Sequence, residues 1–530
     1  MAEGVLVAIL IAIGTGRIVD TYSTLSNTFD EGVNVACGLE WWVNGTTAAD
    51  PPNGPFSRIL IGFIPHLRGL EYQETDDIWR QGTEILLSEN DYQRTLSSAR
   101  AGVLPLFWAA SIGVWLWSRR LFGVWPALGA LLLFTNLPPI LAHAGVATTD
   151  MAITATFLWF IWAFTRWLDD PGTSRAILLA VSFSLAFASK FSVLPFGLAS
   201  AAAIIAIRWF LPPEGAKFPG WRVCLKSAGV FALVSYLVVW ALYRFSLWSV
   251  ADFCLEKGWL NLEERTWLKG LLGMVIPGEC FRGVAAVVNH VRLGHDSFLM
   301  GEVFQNGRWY FYPVDLALKT PLGFLILSVL GIWITARDGA RRRDWRIIAP
   351  GAAAIAIFLS ILTSSLNLGI RYLLPIYPLM AIAAAGGLAS LWSKGMWRRV
   401  LVVGLIAWTV VGSAASHPDY LAYFNELAGP KPELYLVESD LDWGQDALRL
   451  REKLVELGVE RFSIAYFGNF DFERTGFPPH QELVPGQPTT GWVAVSLTLR
   501  SLYPENFAWL RDHEPVCRVG KSIDLYHIGE

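Results

Sequence analysis

Charge is what this chain has least of. Its 530 residues carry 42 Lys and Arg and 45 Asp and Glu, or 16% charged, against about 25% in soluble domains. That is too little to coat a water-soluble protein of this size. The net charge of -3 and the lack of a long basic run leave no cationic surface, which excludes a nucleic-acid binder. Cysteine is scarce as well. Cys37, Cys224, Cys254, Cys280 and Cys517 form no CxxC or Cys/His ligand spacing, which removes a structural zinc site. Cys254 and Cys280 share one outer loop, and a disulfide and two free thiols both remain open for them. No GxGxxG opens a strand-helix unit. The one P-loop-like fragment, Gly520, Lys521 and Ser522, has Pro515 in place of the leading glycine, so no nucleotide site is expected. Internal repeats and low-complexity tracts are absent.

What is present is apolar surface. Apolar residues make up 53%, mean hydropathy is +0.41 and there are 25 Trp, the composition of a polytopic membrane protein. Apolar runs approaching the roughly 20 residues needed to cross a bilayer fall near 4–19, 99–118, 121–142, 146–165, 175–190, 191–211, 225–245, 314–336, 346–365, 370–392 and 397–415. This predicts about eleven transmembrane helices in residues 1–415, an all-α membrane domain. Lys and Arg collect after the even-numbered spans: Arg119 and Arg120; Arg166 and Arg175; Arg208, Lys217, Arg222 and Lys226; Arg337, Arg341, Arg342, Arg343 and Arg346; Lys394, Arg398 and Arg399. Short basic loops stay cytoplasmic, so each even span is expected to exit inward.

The opposite connections are poor in basic residues and are expected outside the cytoplasm. They include a first loop of about 79 residues, 20–98, and a second large one, 246–313. A first loop that long is expected to be functional and to carry short helices on the membrane. Its acidic stretch Glu71, Glu74, Asp76 and Asp77 reads as a wet loop, and Trp309, Tyr310, Phe311 and Tyr312 as an interfacial aromatic belt. Residues 1–16 hold no Lys or Arg and resemble neither a good signal peptide nor a strong anchor; a weak anchor and a displaced start are both open. From Ser416 the charges return and apolar runs shorten to strand length. Residues 416–530 are expected to form a small extracytoplasmic α/β domain, with a helix over 444–457 and strands over 461–467, 492–499, 516–519 and 523–527.

A charge inside an apolar span costs roughly 2.5 to 3.5 kcal/mol at mid-membrane, so each one asks for a reason. The qualifying residues map to the outer side: Asp30 and Glu31 after span one, His143 ending span three, Asp150 opening span four, Lys190 between spans five and six, Lys319 in the outer part of span eight, and Arg371 at the start of span ten. Singly, each has an ordinary explanation as a solvated loop start, a snorkelling cation or an interface histidine. Together they suit a reaction needing a base and a clamp for a phosphate leaving group. Asp30 can accept the proton of an attacking hydroxyl, while Lys190 and Arg371 offset charge growing on a departing phosphate. Asp150, after Thr148 and Thr149 at a helix N-terminus, should stay ionised and suits orienting or metal-holding.

The segments FDEG (29–32), LAHAGVATTDMA (141–152), ASKFSVLP (188–195), GRWYFYPVDLALKTPL (307–322), NLGIRYLLPIYP (367–378), HPDYLAYFNELAG (417–429) and DLDWGQD (440–446) occur in this order. Over roughly residues 25–450 the sequence resembles the polyprenol-phosphate-dependent glycosyltransferases of family 39, related to protein O-mannosyltransferases and lipid A aminoarabinose transferases. The resemblance implies the C-type glycosyltransferase fold and inverting transfer of one sugar from a polyprenyl phosphate to a protein, lipid or glycan acceptor outside the cytoplasm. It implies Asp30 as base with Glu31 beside it, Asp150 as second acidic residue, and Lys190 and Arg371 as lipid-phosphate ligands. Tyr372, His143 and Lys319 join the substrate-binding set by position. Arg58 and Arg68 are the candidates for the basic residues that relatives place in the first loop. A divalent metal held by Glu31 and Asp150 is undecided, since no dedicated ligand cluster is present. The DWGQD segment either shapes the acceptor side or caps a helix. A transporter or flippase for a lipid-linked or anionic solute is the alternative; the outer placement of the charges and the lack of repeats favour the enzyme.

Overall fold

The computed structural model describes residues 2–72, 75, 77–88, 91–212, 220–258 and 266–529. Glu74, Asp76 and Lys217, named above, and residue 1 lie outside the described residues. Among the described residues, seven helices are long and apolar enough to cross a membrane, a bent pair makes an eighth, and three shorter apolar helices complete the eleven segments expected. Span one is Ala2–Asp20, span two Leu104–Phe122, span four Asp150–Asp169, span five Thr173–Phe187, span six Val193–Phe210 and span seven Trp221–Leu242. Span eight is Leu322–Arg342, span nine Trp345–Ile361, span ten Ile376–Trp392 and span eleven Met396–Ala415. Their ends pair as the alternation requires. Arg119 in the last turn of span two meets Glu3 at 2.6 Å, and Arg346 in the first turn of span nine meets Asp169, the last residue of span four, at 3.4 Å. On the opposite side, Asp20 at the end of span one meets His417 after span eleven at 2.7 Å.

Three spans differ from the expected runs, each at a proline. Span three is broken into Val124–Phe134 and Pro138–Ala144, bent by 65°. Pro138 and Pro139 lack the N–H that would continue the first helix, and residue 137 is extended, as a pre-proline residue favours. Span eight starts at Leu322 after Pro321, so Lys319 ends a separate helix, Phe311–Lys319, and lies outside the span. Span ten starts at Ile376 after Pro375, leaving Ile370–Tyr372 as one 3-10 turn.

Span four is among the most enclosed, buried over most of its length, whereas spans one and seven lie at the periphery. It therefore carries Asp150 into the centre of the bundle. The first loop folds into helices Glu31–Val43, Pro55–Leu67, Ile78–Leu87 and Tyr92–Ala101. The second holds a hairpin of β1 (Ser297–Leu299) and β2 (Glu302–Phe304). Cys254 and Cys280 are buried free thiols. In the aromatic run only Trp309 is strongly exposed; Phe311 and Tyr312 are buried, and the Tyr312 hydroxyl donates to Leu366 O at 2.7 Å.

Beyond residue 416 a sheet forms from β3 (Phe462–Ala465), β4 (His480–Glu482), β5 (Gly491–Ser496), β6 (Cys517–Val519) and β7 (Ile523–Ile528), in the order β4-β3-β5-β7-β6. β4 and β5 run parallel to β3, while β7 is antiparallel to β5 and β6. The short edge strand β4 was not expected, because His480, Gln481 and Glu482 carry no strand pattern. Leu450 and Leu454 of the helix Ala447–Glu456 pack on Phe462, Ile464, Ala494 and Leu525 of one sheet face. Tyr420, Leu421, Leu436 and Trp443 join the core of the membrane part, so the two regions share one hydrophobic interior.

Candidate functional site

Asp30 is placed by the polar segment that precedes it. Ser26 N donates to Gln445 O and Phe29 N to Trp443 O, both at 3.0 Å, so residues 26–29 lie against the DWGQD segment. Asp30 then sits at the N-terminus of the helix Glu31–Val43 with its side chain free of any capping bond. Its carboxylate turns to Arg371, whose Nη1 donates to Oδ2 at 2.8 Å.

Arg371 is aimed by a second set of contacts. Gly369 has φ of +82°, and a Cβ there would meet the Asp440 carboxylate at 2.7 Å, so glycine is required. Ile370 N donates to Asp440 Oδ1 at 2.9 Å and Ser439 Oγ to Leu368 O at 3.0 Å. The tail thus pins the turn that carries the arginine. Its guanidinium lies 4.6 Å from the Trp443 ring centre and its Nε donates to Leu368 O at 3.1 Å. Burial works against the Arg371 charge, but the Asp30 carboxylate and then Asp150 outweigh it, and the pKa is raised.

Lys190, in the turn between spans five and six, donates to Asp150 Oδ1 at 2.8 Å and sits 4.0 Å above the Tyr372 ring. The short helix after the break in span three brings His143 Nδ1 to 3.8 Å from Asp150 Oδ2. The His143 ring is 6.2 Å from that of Trp443. One constellation therefore unites Asp30, Arg371, Tyr372, Lys190, Asp150 and His143 from five separated parts of the chain. Asp30, Arg371 and Lys190 retain 32%, 14% and 13% side-chain exposure, so a ligand can reach them.

Three expected site residues stand elsewhere. Glu31 is fully buried and neutralised by Arg100, with Nε to Oε1 at 2.8 Å and Nη2 to Oε2 at 2.9 Å. It also accepts from Thr28 N and Ala147 N, at 2.8 and 2.7 Å, which leaves it no lone pair for catalysis or a metal. Lys319 is buried under the tail and donates to the carbonyls of Leu421 and Asp440. Its pKa is lowered to about 8 by burial. It fastens the tail to the membrane part. Arg58 pairs with Asp50 and donates to Asn34 Oδ1 at 3.1 Å, organising the first loop beside Asn53. Thr149 donates to Asn53 Oδ1 at 3.4 Å, which separates Arg58 from Asp150 by two residues.

No group of three or more His, Cys, Asp or Glu side chains could hold a metal ion among the described residues. Glu31 faces the buried Arg100 and Asp150 faces the partly exposed Lys190 instead of each other. The residues present do not fit a divalent metal held by Glu31 and Asp150.

Sequence reasoning missed Trp443 and Arg100. The DWGQD segment uses its residues in two directions. Trp443 and Gln445 face Arg371 and the first loop. Asp442 accepts from Thr498 N at 3.1 Å and from Ser496 Oγ. Asp446 makes no side-chain cap but accepts from Lys521 N at 2.9 Å and Ser522 Oγ at 2.8 Å. Burial pushes the Asp442 carboxyl up to about 7.

A bundle of apolar spans with a polar cluster at one end defines a multi-pass membrane protein. Known proteins place the fold more closely. No family model and no curated protein matches the chain. Among solved structures, ArnT from Cupriavidus metallidurans bound to undecaprenyl phosphate is matched over 100% of this chain and 99% of that one, at TM-score 0.52 and 13% identity. Its apo state is matched over 99% and 98%, at TM-score 0.51 and 14% identity. The Archaeoglobus fulgidus oligosaccharyltransferase gives TM-score 0.48 and 15% identity over 88% of this chain, which spans 62% of that longer one. The chain shares the fold of ArnT, the C-type glycosyltransferase fold that the ordered motifs imply.

Proposed function

We propose that this protein is an inverting membrane glycosyltransferase that moves one sugar from a polyprenyl phosphate to an acceptor hydroxyl. The observation that carries this reading is the convergence of Asp30 with Arg371 and of Lys190 with Asp150 around Tyr372. Asp30 takes the acceptor proton as its oxygen bonds to the anomeric carbon. The bond from that carbon to the phosphate oxygen breaks with both electrons leaving on the phosphate. Lys190 and Arg371 offset the negative charge that develops there. Arg371 releases Asp30 as it turns to the phosphate, so donor binding frees the base. Asp150 holds Lys190 in place, and Trp443 holds Arg371.

Two further features support a lipid donor. A groove of about 430 Å³ between spans four to seven is lined by Phe160, Leu179, Phe183, Val193, Leu194 and Phe231. Val193 and Leu194 lie in the first turn after Lys190, so a chain in the groove has its phosphate end near the cation. The solved ArnT carries undecaprenyl phosphate, a ligand of the same chemistry.

The even-span basic clusters support placing the site and residues 416–530 outside the cytoplasm. Thiol labelling from outside at a cysteine introduced in the exposed turn 486–488 is the expected result; labelling only after permeabilisation would reverse the orientation. For the reaction, proteoliposomes supplied with a polyprenyl-phosphate sugar should yield free polyprenyl phosphate and a heavier acceptor. Movement of the intact donor across the bilayer without covalent product would favour the flippase reading.

A further inference from the structure

We infer that the C-terminal domain holds a pocket for a neutral saccharide and that the acceptor is a glycan whose sugar ring this pocket presents near Asp30. This rests on the reading of Asp30 as the base. A cavity of about 430 Å³ opens at the carboxyl ends of the parallel strands β3, β4 and β5. There the chain leaves β3, which is flanked by β4 on one side and β5 on the other. Ligands of open α/β sheets bind at this kind of divergence, and the volume is within the range of small-molecule sites.

The lining selects the ligand. Tyr466, Phe472, Tyr503 and Trp509 supply aromatic faces, with Glu482 and Asn506 as polar groups. The negative face of an aromatic ring attracts the weakly positive C–H face of a pyranose, while a carboxylate and an amide take its hydroxyls. No Lys or Arg lines the cavity; His480 is the lining side chain able to offset a phosphate or a uronate, and the Glu482 carboxylate opposes such an anion. This disfavours a phosphorylated lipid headgroup and favours a neutral ring.

Position ties the pocket to the reaction. Its wall is the loop that follows β3. Phe467 in that loop stacks on Phe29 with ring centres 5.4 Å apart, and Asn469 Nδ2 donates to Phe29 O at 3.1 Å. Phe29 precedes Asp30. A second cavity of about 350 Å³ shares Tyr503, has Phe467 as a wall, and is lined by His295, Asp296, Gln305 and Glu438, again with no Lys or Arg. Phe467 walls the second cavity while its neighbours Tyr466 and Gly468 line the first, and its ring stacks on the residue before Asp30, so a chain of sugars can occupy both.

The test uses the full-length protein in nanodiscs and saturation-transfer NMR with neutral hexose disaccharides, a uronate disaccharide and a neutral peptide. Neutral disaccharides should give transfer signals, with affinity lowered about tenfold or more by Trp509→Ala and by Glu482→Gln. Glu482 is exposed, so its variant keeps the test readable if Trp509→Ala unfolds. Asp30→Asn should bind the same disaccharides unchanged. No signal from neutral disaccharides, an affinity indifferent to both pocket variants, or a peptide competing for the same residues would overturn the inference. Binding without transfer would instead count against the reading of Asp30.

Discussion

Arg371 and Asp30 are 341 positions apart and form an ion pair at 2.8 Å. The pair is half-open to solvent on the Asp30 side, which makes it exchangeable. A phosphate arriving at Arg371 competes with Asp30 for the guanidinium, and a carboxylate that loses its cation becomes a stronger base. In the proposed mechanism one ligand would therefore switch clamp and base.

Asp30→Asn should insert and fold like the parent while turnover falls about 10² to 10³ or more, as for loss of one essential polar group in a preorganised site. Single-turnover transfer from a polyprenyl-phosphate sugar checks it. Near-normal turnover would remove Asp30 as base.

Glu31→Gln should act on stability, although it is the next residue. It leaves the Arg100 guanidinium buried and incompletely paired, at a cost of about 3 to 5 kcal/mol. A large fall in thermal midpoint in detergent is expected. An unchanged midpoint with lost turnover would return Glu31 to the reacting centre.

Trp443→Ala should weaken lipid-phosphate binding by roughly tenfold through loss of the cation–π contact with Arg371. Trp443→Phe should restore most of it. Titration with polyprenyl phosphate reads the difference, and equal affinity for all three proteins would deny Trp443 a positioning role.

Asp442 carries a pH dependence. Its pKa is raised from an ordinary 3.8 to about 7 by burial. Between those values the folded chain holds a proton that the unfolded chain releases, so stability falls as pH rises through that window. Unfolding midpoints at about pH 5 and about pH 8 should differ in that direction, and Asp442→Asn should reduce the difference. A slope unaffected by the substitution would assign it to another group.

Much of this architecture is legible in the sequence for plain reasons. Apolar runs locate eleven helical segments among the described residues, seven of them, or eight with the bent pair, long enough to cross a membrane, since lipid leaves no other option for such segments. Proline moves their boundaries: the break before Pro138 and the starts after Pro321 and Pro375 are local chain effects that hydropathy averages away. Asp30, Lys190, Asp150 and Arg371 stand out because charge is scarce and theirs lies at one end of the bundle. What could not be read is pairing. Nothing local in Glu31 says that Arg100, 69 residues on, will occupy it, and nothing in Lys319 says that the tail will cover it. Trp443 hides among 25 tryptophans. Its contact with Arg371 exists only because the tail folds back onto the turn at residue 370.

The most direct measurement of the central claim is polyprenyl phosphate affinity by native mass spectrometry for the parent, Lys190→Ala, Arg371→Ala and Asp30→Asn. The account predicts at least about tenfold weaker binding in each cation variant. It predicts binding as tight or tighter in Asp30→Asn, where Arg371 no longer has a carboxylate to satisfy. Equal affinity across all four proteins would contradict a lipid phosphate held by Lys190 and Arg371.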